Sequence, residues 1–229
     1  DSIYNRIGRQ ELKSNRYRYS DVAYYVFKKY IEEQYGRRLD AIAGEFLFRP
    51  LGASHTLYNP LERFEKADIV PTEEDNYYRY QRVQGFVHDM GAAMQDGVGG
   101  HAGLFSNAND VAKIMQMYLQ GGYYGGTRFL EARTVEKFNK CYFCNNDVRR
   151  GVGFDKPQLE DKGPTCGCVS RRSFGHSGFT GTYTWADPDT GILYVFLSNR
   201  TYPSSSNTLL VRSGLRTRIQ QAIYDSIIN

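Results

Sequence analysis

Two short phrases carry side chains able to hold or move a proton. Tyr19-Ser20-Asp21 sets a phenol, a hydroxyl and a carboxylate side by side. Gly175-His176-Ser177-Gly178-Phe179 places an imidazole between two glycines. The second phrase is not a nucleophile elbow, because G-x-S-x-G requires Gly at 179, where this chain has Phe. No serine in the chain has Lys three residues on, so no S-x-x-K is present to pair a nucleophilic hydroxyl with a lysine one helical turn later. Four cysteines form a third group: Cys141 and Cys144 as C-x2-C, then, after a gap of 21 residues, Cys166 and Cys168 as C-x-C. Two close pairs of thiolates suit a tetrahedral Zn²⁺, and the same spacing also suits disulfides or free thiols. A zinc held there would staple the loops before His176 rather than catalyse.

These residues need elements to position them. Tyr19-Ser20-Asp21 opens a helix pattern in which Val22, Tyr25, Val26, Lys29, Tyr30 and Glu33 recur at three- and four-residue spacing. Ser20 or Asp21 suits the N-cap and Gly36 the stop. A second helix is expected over Leu39–Leu47, ending before Pro50. Tyr58–Val87, polar and carrying Pro60 and Pro71, reads as a long surface excursion. After the Gly97–Gly103 turn, a helix is expected from about Asn109 to Leu119, capped by Ser106 or Asn107 and ended by Gly121-Gly122. A short helix fits Glu131–Asn139. Ser173–Trp185 and Gly191–Asn199 read as two strands joined by the turn formers Asp187-Pro188-Asp189-Thr190-Gly191. The nearly continuous apolar run Ile192–Leu197 suits a strand covered on both faces. Leu209–Ile228 reads as a helix packing on the sheet, with Leu215, Ile219, Ala222, Ile223 and Ile227 on one face. The order implies an α+β fold in one domain, 1–229, mainly helical over 1–140, with sheet and C-terminal helix over 141–229. Two or three strands with one helix make a thin core, so further covering material is expected.

Composition narrows the classes of function. Of the 229 residues, 41% are hydrophobic and 24% charged, a globular and not a disordered balance. The net charge of +4 is dispersed, with no Lys/Arg block longer than two, which argues against a nucleic-acid surface. The longest apolar runs are too short for a transmembrane segment. Tyrosine is abundant, at 19 residues against 13 Phe and 1 Trp. Such rings fill half-buried positions and also suit polar, carbohydrate-like or peptide ligands. The opening Asp1-Ser2-Ile3-Tyr4 has neither Met nor a charged-then-apolar leader, and reads as a trimmed or partial chain.

Five phrases occur in a characteristic order. They are Tyr19-Ser20-Asp21, Phe48-Arg49-Pro50-Leu51-Gly52-Ala53-Ser54-His55-Thr56, Gly103-Leu104-Phe105-Ser106-Asn107-Ala108-Asn109-Asp110-Val111-Ala112, Gly175–Gly181, and Phe196-Leu197-Ser198-Asn199-Arg200. Together they resemble the β-lactamase-related serine hydrolases, a superfamily that includes class C β-lactamases, low-molecular-weight penicillin-binding proteins and family esterases. The resemblance covers nearly the whole chain. It implies a β-lactamase/transpeptidase-like fold and acyl transfer to a serine, with no cofactor. It also implies a small-molecule or peptide substrate of the cell-wall type and a periplasmic or otherwise exported setting.

Carried onto this sequence, the resemblance makes Tyr19 the proton-shuttle tyrosine of a Y-x-N motif. Asp21 stands where the family usually has Asn, keeping an acceptor for substrate but losing the amide donors. His176, Ser177 and Gly178 become the motif lining the opposite wall, with His176 supplying a hydrogen bond or partial charge and Gly178 letting substrate lie against the backbone. The Phe179 N–H becomes one oxyanion donor. In the family the nucleophile precedes Y-x-N by on the order of a hundred residues. The resemblance therefore implies that the N-terminal part of the domain lies outside this chain. Taken alone the chain is expected not to acylate, and to self-associate or pair with the missing part; the alternative is a non-catalytic module that binds cell-wall fragments. The closing stretch, Ser198–Pro203 with Arg216–Gln220, is similar to a Bacteroidetes subgroup in which the domain follows a family 3 glycoside hydrolase.

Overall fold

The computed structural model describes residues 2–11, 16–146, 148–158 and 163–227. Helix α1 (Ser2–Gly8) leads to α2 (Val22–Tyr35), which ends at Gly36, left-handed at φ +61° with its N–H on the Glu32 carbonyl. Ser20 accepts the Val22 N–H through its hydroxyl (3.2 Å), whereas the Asp21 side chain makes no cap bond. The apolar stripe of α2 does not face the core: Val22, Val26, Phe27 and Tyr30 are exposed, and Lys28 is the buried residue. Helix α3 (Leu39–Ala43) runs into a π-helical turn, Gly44–Phe48, which carries the expected second helix up to Pro50.

Residues 58–87 are more than a surface excursion. They contain two 3₁₀ turns and an antiparallel hairpin of β1 (Glu73–Asp75) and β2 (Gln81–Val83), in which Glu73, Asp75 and Val83 are buried. The acidic residues are buried because each accepts several hydrogen bonds. Asp75 alone takes the backbone N–H groups of Tyr77, Tyr78 and Arg79 at 2.8–3.1 Å.

After α4 (Met90–Ala93), helix α5 (Ala108–Leu119) starts at Asn107, whose side chain accepts the Asp110 N–H at 2.9 Å. Buried Asp110 then accepts the His55 N–H (2.6 Å) and pairs with Lys113 (3.0 Å). Leu57 and Phe105 exchange backbone hydrogen bonds at 3.0 and 2.8 Å. The second and third sequence phrases are thereby clamped together. A small hairpin, β3 (Tyr123–Tyr124) with β4 (Thr127–Arg128), and α6 (Ala132–Asn139) follow.

The main sheet has the order β5-β6-β7, all antiparallel, from β5 (Phe174–Ser177), β6 (Tyr183–Asp187) and β7 (Ile192–Phe196). The expected first strand, Ser173–Trp185, is thus itself a hairpin. Gly178 N–H bonds the Thr182 carbonyl (2.8 Å), and Gly181 turns the chain at φ +112°. Helix α5 covers one face of the sheet through Met115, Phe174 and Ala186. The C-terminal segment splits at Gly214 (φ +61°) into α7 (Leu209–Ser213) and α8 (Leu215–Ile227); Ile228 lies outside the described residues. Ile219 and Ile223 of α8 cover the other face, against Tyr183, Trp185 and Tyr194. The core is thicker than one helix on a sheet, because α5 supplies the second layer.

Candidate active site

The wall strand is built on glycine. A Cβ at Gly175 would sit 2.1 Å from the Thr184 carbonyl oxygen and 2.4 Å from the Trp185 ring, so only Gly lets β5 approach β6 here. His176 then projects from the strand beside the loop that carries Arg149, Arg150 and Asp155. That loop is stitched to β5 by paired backbone bonds between Asp155 and Gly175 (2.8 and 3.2 Å).

Arg150 joins the two halves of the site. Its Nη1 lies 2.8 Å from His176 Nε2, and its guanidinium lies over the Tyr19 ring, 4.8 Å from the centroid. Buried Asp155 holds Arg150 and Arg149 in ion pairs, each at 3.1 Å. His176 Nδ1 lies 2.8 Å from the Ser177 carbonyl. A guanidinium N–H can only donate and a carbonyl can only accept, so the partners assign His176 the neutral form with the proton on Nδ1 and a lone pair on Nε2. Burial, and then the Asp21 carboxylate, push the Tyr19 phenol above its ordinary value, with Arg150 pulling partly back. Tyr19 therefore carries its proton at neutral pH. It is 57% exposed and open to a ligand.

Asp21 lies at the start of α2, half-buried, and acts on Tyr19 by charge; its backbone carbonyl accepts the Tyr24 N–H at 2.9 Å. Ser177 closes β5 opposite Tyr183. Gly178 has a role in the turn: a Cβ there would meet the Thr182 hydroxyl at 2.2 Å, so the space that its missing side chain leaves is taken by Thr182. Phe179 is 64% exposed, flanked by the His88 ring (5.7 Å between centroids) and the Arg200 guanidinium (4.6 Å). Buried Glu73 holds His88 Nε2 at 2.7 Å, together with the Tyr77 hydroxyl and the Ser205 N–H, each at 3.0 Å. Burial alone would raise the Glu73 carboxyl, but these hydrogen bonds outweigh it and hold the group below its ordinary value.

Sequence reasoning missed Arg150, Asp155, Glu73 and His88. The signal near Arg150 was slight: a pair of arginines before Gly151-x-Gly153, in a stretch bracketed by cysteines. The cysteines themselves form two local disulfides, Cys141–Cys144 and Cys166–Cys168. In this pairing, the disulfide alternative of the three, sulfurs bonded to each other offer no thiolate to a metal. Among the described residues, no group of three His, Cys, Asp or Glu side chains is placed to hold a metal ion. A broad concavity on α6, lined by Arg133, Thr134, Glu136, Lys137 and Lys140, includes none of the site residues.

An antiparallel sheet between two helical layers, with a Tyr at one helix start facing a His-Ser-Gly strand, defines the class, and sequence relatives define the family. Residues 2–215 match the family described as Beta-lactamase, and the chain belongs to that family of β-lactamase-related serine hydrolases. Over 195 residues it is 37% identical to a protein of Escherichia coli (strain K12) named "Putative D-alanyl-D-alanine carboxypeptidase"; the match covers 80% of this chain and 44% of that protein. The chain thus spans less than half the length of this curated relative. The fold is that of a β-lactamase from Mycobacterium bovis, with TM-score 0.63 and 18% identity, over 92% of this chain and 64% of that one. A penicillin-binding-protein homologue from Caulobacter crescentus superposes with TM-score 0.55 and 17% identity, over 82% of this chain and 54% of that one. The fold is β-lactamase/transpeptidase-like. No described helix is long and apolar enough to cross a membrane.

Proposed function

We propose that this chain forms the tyrosine-and-histidine wall of a serine peptidase site that takes acyl-D-alanyl-D-alanine peptides of the cell wall. The observation that carries the reading is the continuous contact Tyr19–Arg150–His176. In it, Tyr19 holds a proton for a leaving group, His176 is fixed in orientation by donors and acceptors on both ring nitrogens, and Arg150 supplies a positive charge where an oxyanion develops. The Phe179 N–H is the oxyanion donor on this wall, and Asp21 and Ser177 flank the bound peptide. The E. coli relative's name supports the substrate class. The name and the two disulfides both accord with an exported, oxidising setting. Residues 1–229 act as part of one domain, helical over 1–140 and sheet-based over 141–229, completed by a segment that brings S-x-x-K.

A second reading, non-catalytic binding of cell-wall fragments, is favoured by Asp at position 21 and by the lack of S-x-x-K within these residues. One pair of assays tests both. Fluorescent penicillin and a fluorophosphonate should leave the 229-residue chain unlabelled, while diacetyl-L-Lys-D-Ala-D-Ala binds reversibly and His176→Ala weakens it. Covalent labelling would contradict the need for an outside nucleophile. Absence of peptide binding would remove the substrate class.

A further inference from the structure

The β1–β2 turn presents exposed aromatic rings on an unusually well-fixed backbone. Tyr77 and Tyr78 are about half exposed and Tyr80 is 77% exposed. Three backbone N–H groups of the turn are held by Asp75. Arg79 fastens the turn from the other side, donating to the carbonyls of His88 (3.2 Å) and Val87 (2.7 Å). Tyr80 adopts φ +53°, a left-handed conformation that a bulky side chain rarely takes. Gly would serve this backbone at no steric cost, and instead the position carries the most exposed large ring among the described residues. Backbone strain of this kind persists only where the surrounding structure holds it, and it clusters at active sites, ligand clamps and switch regions.

The turn is also tied to the candidate active site. The Tyr77 hydroxyl and His88 Nε2 meet on the same Glu73 oxygen, Oε2, and the His88 ring stacks on Phe179, next to the wall motif. From these contacts we infer that Tyr77, Tyr78 and Tyr80, with Phe179 on the far side of the supporting His88 ring, form a carbohydrate subsite that holds the N-acetylated glycan to which a stem peptide is attached. The choice of sugar rests on the peptide reading given above.

The chemistry of the surface fits a sugar. A pyranose offers one face of C–H bonds and a rim of hydroxyls. Exposed tyrosine rings take the C–H face, and the ion pair Glu74–Arg82 (2.6 Å), on the strands beside the turn and about half exposed, suits the rim. On β1 the Glu74 N–H is already bonded to the Pro203 carbonyl at 2.9 Å, so that edge of the hairpin is not free to take a peptide strand.

The test titrates tri-N-acetylchitotriose into the 229-residue chain by calorimetry, with the D-Ala-D-Ala peptide in parallel. Saturable sugar binding is expected. Tyr80→Gly should weaken it at least tenfold, and Tyr80→Trp should keep it. Because Tyr80→Gly relieves the left-handed backbone, it leaves the fold at least as stable, so its loss of binding is not unfolding. Peptide affinity should be unchanged in Tyr80→Gly. Sugar binding without peptide binding would uphold the subsite and sink the peptide reading. No saturable sugar binding, or equal binding by Tyr80→Gly, would overturn the subsite. Loss of a dimer in Tyr80→Gly, seen by sedimentation, would also overturn it, by making this face a contact between copies.

Discussion

Arg150 donates to His176 Nε2 across 2.8 Å while its guanidinium lies over the Tyr19 ring, so one side chain spans the two sequence phrases expected to face each other. Replacing Arg150 by Ala should cost little stability, because Asp155 keeps Arg149 as an ion-pair partner at 3.1 Å. It should weaken D-Ala-D-Ala peptide binding about tenfold, the scale of one charge-assisted contact of about 1.5 kcal/mol. Lys at 150 should recover only part of this, since an ammonium cannot span His176 and Asp155 as a planar fork does. Calorimetry on the three proteins is the check; equal affinities would detach Arg150 from the site.

The two glycines of the wall should respond differently. Gly175→Ala drives a methyl group into the Thr184 carbonyl and the Trp185 ring and should destabilise the chain by about 3 kcal/mol or more. Gly178→Ala meets only the Thr182 hydroxyl, a side-chain end that can rotate, and should cost about 1 kcal/mol. Urea unfolding of the two variants separates them, and similar losses would mean that β5 is not pinned at Gly175.

Much of this architecture is legible in sequence, and the exceptions have physical causes. Asn107 and Gly36 mark helix ends because capping and left-handed stops act within a few residues. The Gly178–Thr182 turn is hidden because Phe179, Tyr183 and Trp185 continue a strand-like run of aromatics across it. Gly214 divides the last helix in the middle of a periodic pattern. Arg150 is illegible for another reason: its loop has no periodicity, and its partner His176 is 26 residues away, so only the fold brings them together. The outward stripe of α2 shows the converse, a periodic pattern correctly read as a helix whose apolar face finds no cover among the described residues.

That stripe should make the chain associate. Val22, Val26, Phe27 and Tyr30 are exposed together on α2, and β7 is an open edge of the sheet. Sedimentation velocity should show self-association that falls with dilution, and Val26→Lys, at the middle of the stripe, should reduce it. A strictly monomeric wild-type chain would contradict an uncovered face.

Stability should rise from neutral pH into the alkaline range before falling. Buried Lys156 donates to Asn139 Oδ1 and the Arg172 carbonyl, both at 3.0 Å. Its burial, and then the nearby Arg172 charge, lower its pKa to about 8. The unfolded chain therefore holds more protons than the folded one between that value and the ordinary lysine range. Stability grows with pH across this window, by at most about 3 kcal/mol. Burial raises the Tyr58 phenol to about 12, so its contribution is lost as pH climbs from the ordinary tyrosine value through 12. Urea midpoints at pH 7 and 9.5 should differ in favour of pH 9.5, and Lys156→Met should flatten the rise. A wild-type midpoint that falls over this interval would contradict the assignment.

The most direct test of the site is the ring ¹⁵N spectrum of His176 in the intact chain near neutral pH, assigned through His176→Gln. The contacts with Arg150 and Ser177 require a protonated, pyrrole-type Nδ1 and a bare, pyridine-type Nε2. Arg150→Ala should remove the donor from Nε2 and shift that resonance, while the Ser177 carbonyl keeps the proton on Nδ1. A wild-type His176 protonated on Nε2 would mean that Arg150 does not reach it, and the Tyr19–Arg150–His176 arrangement would fall with it.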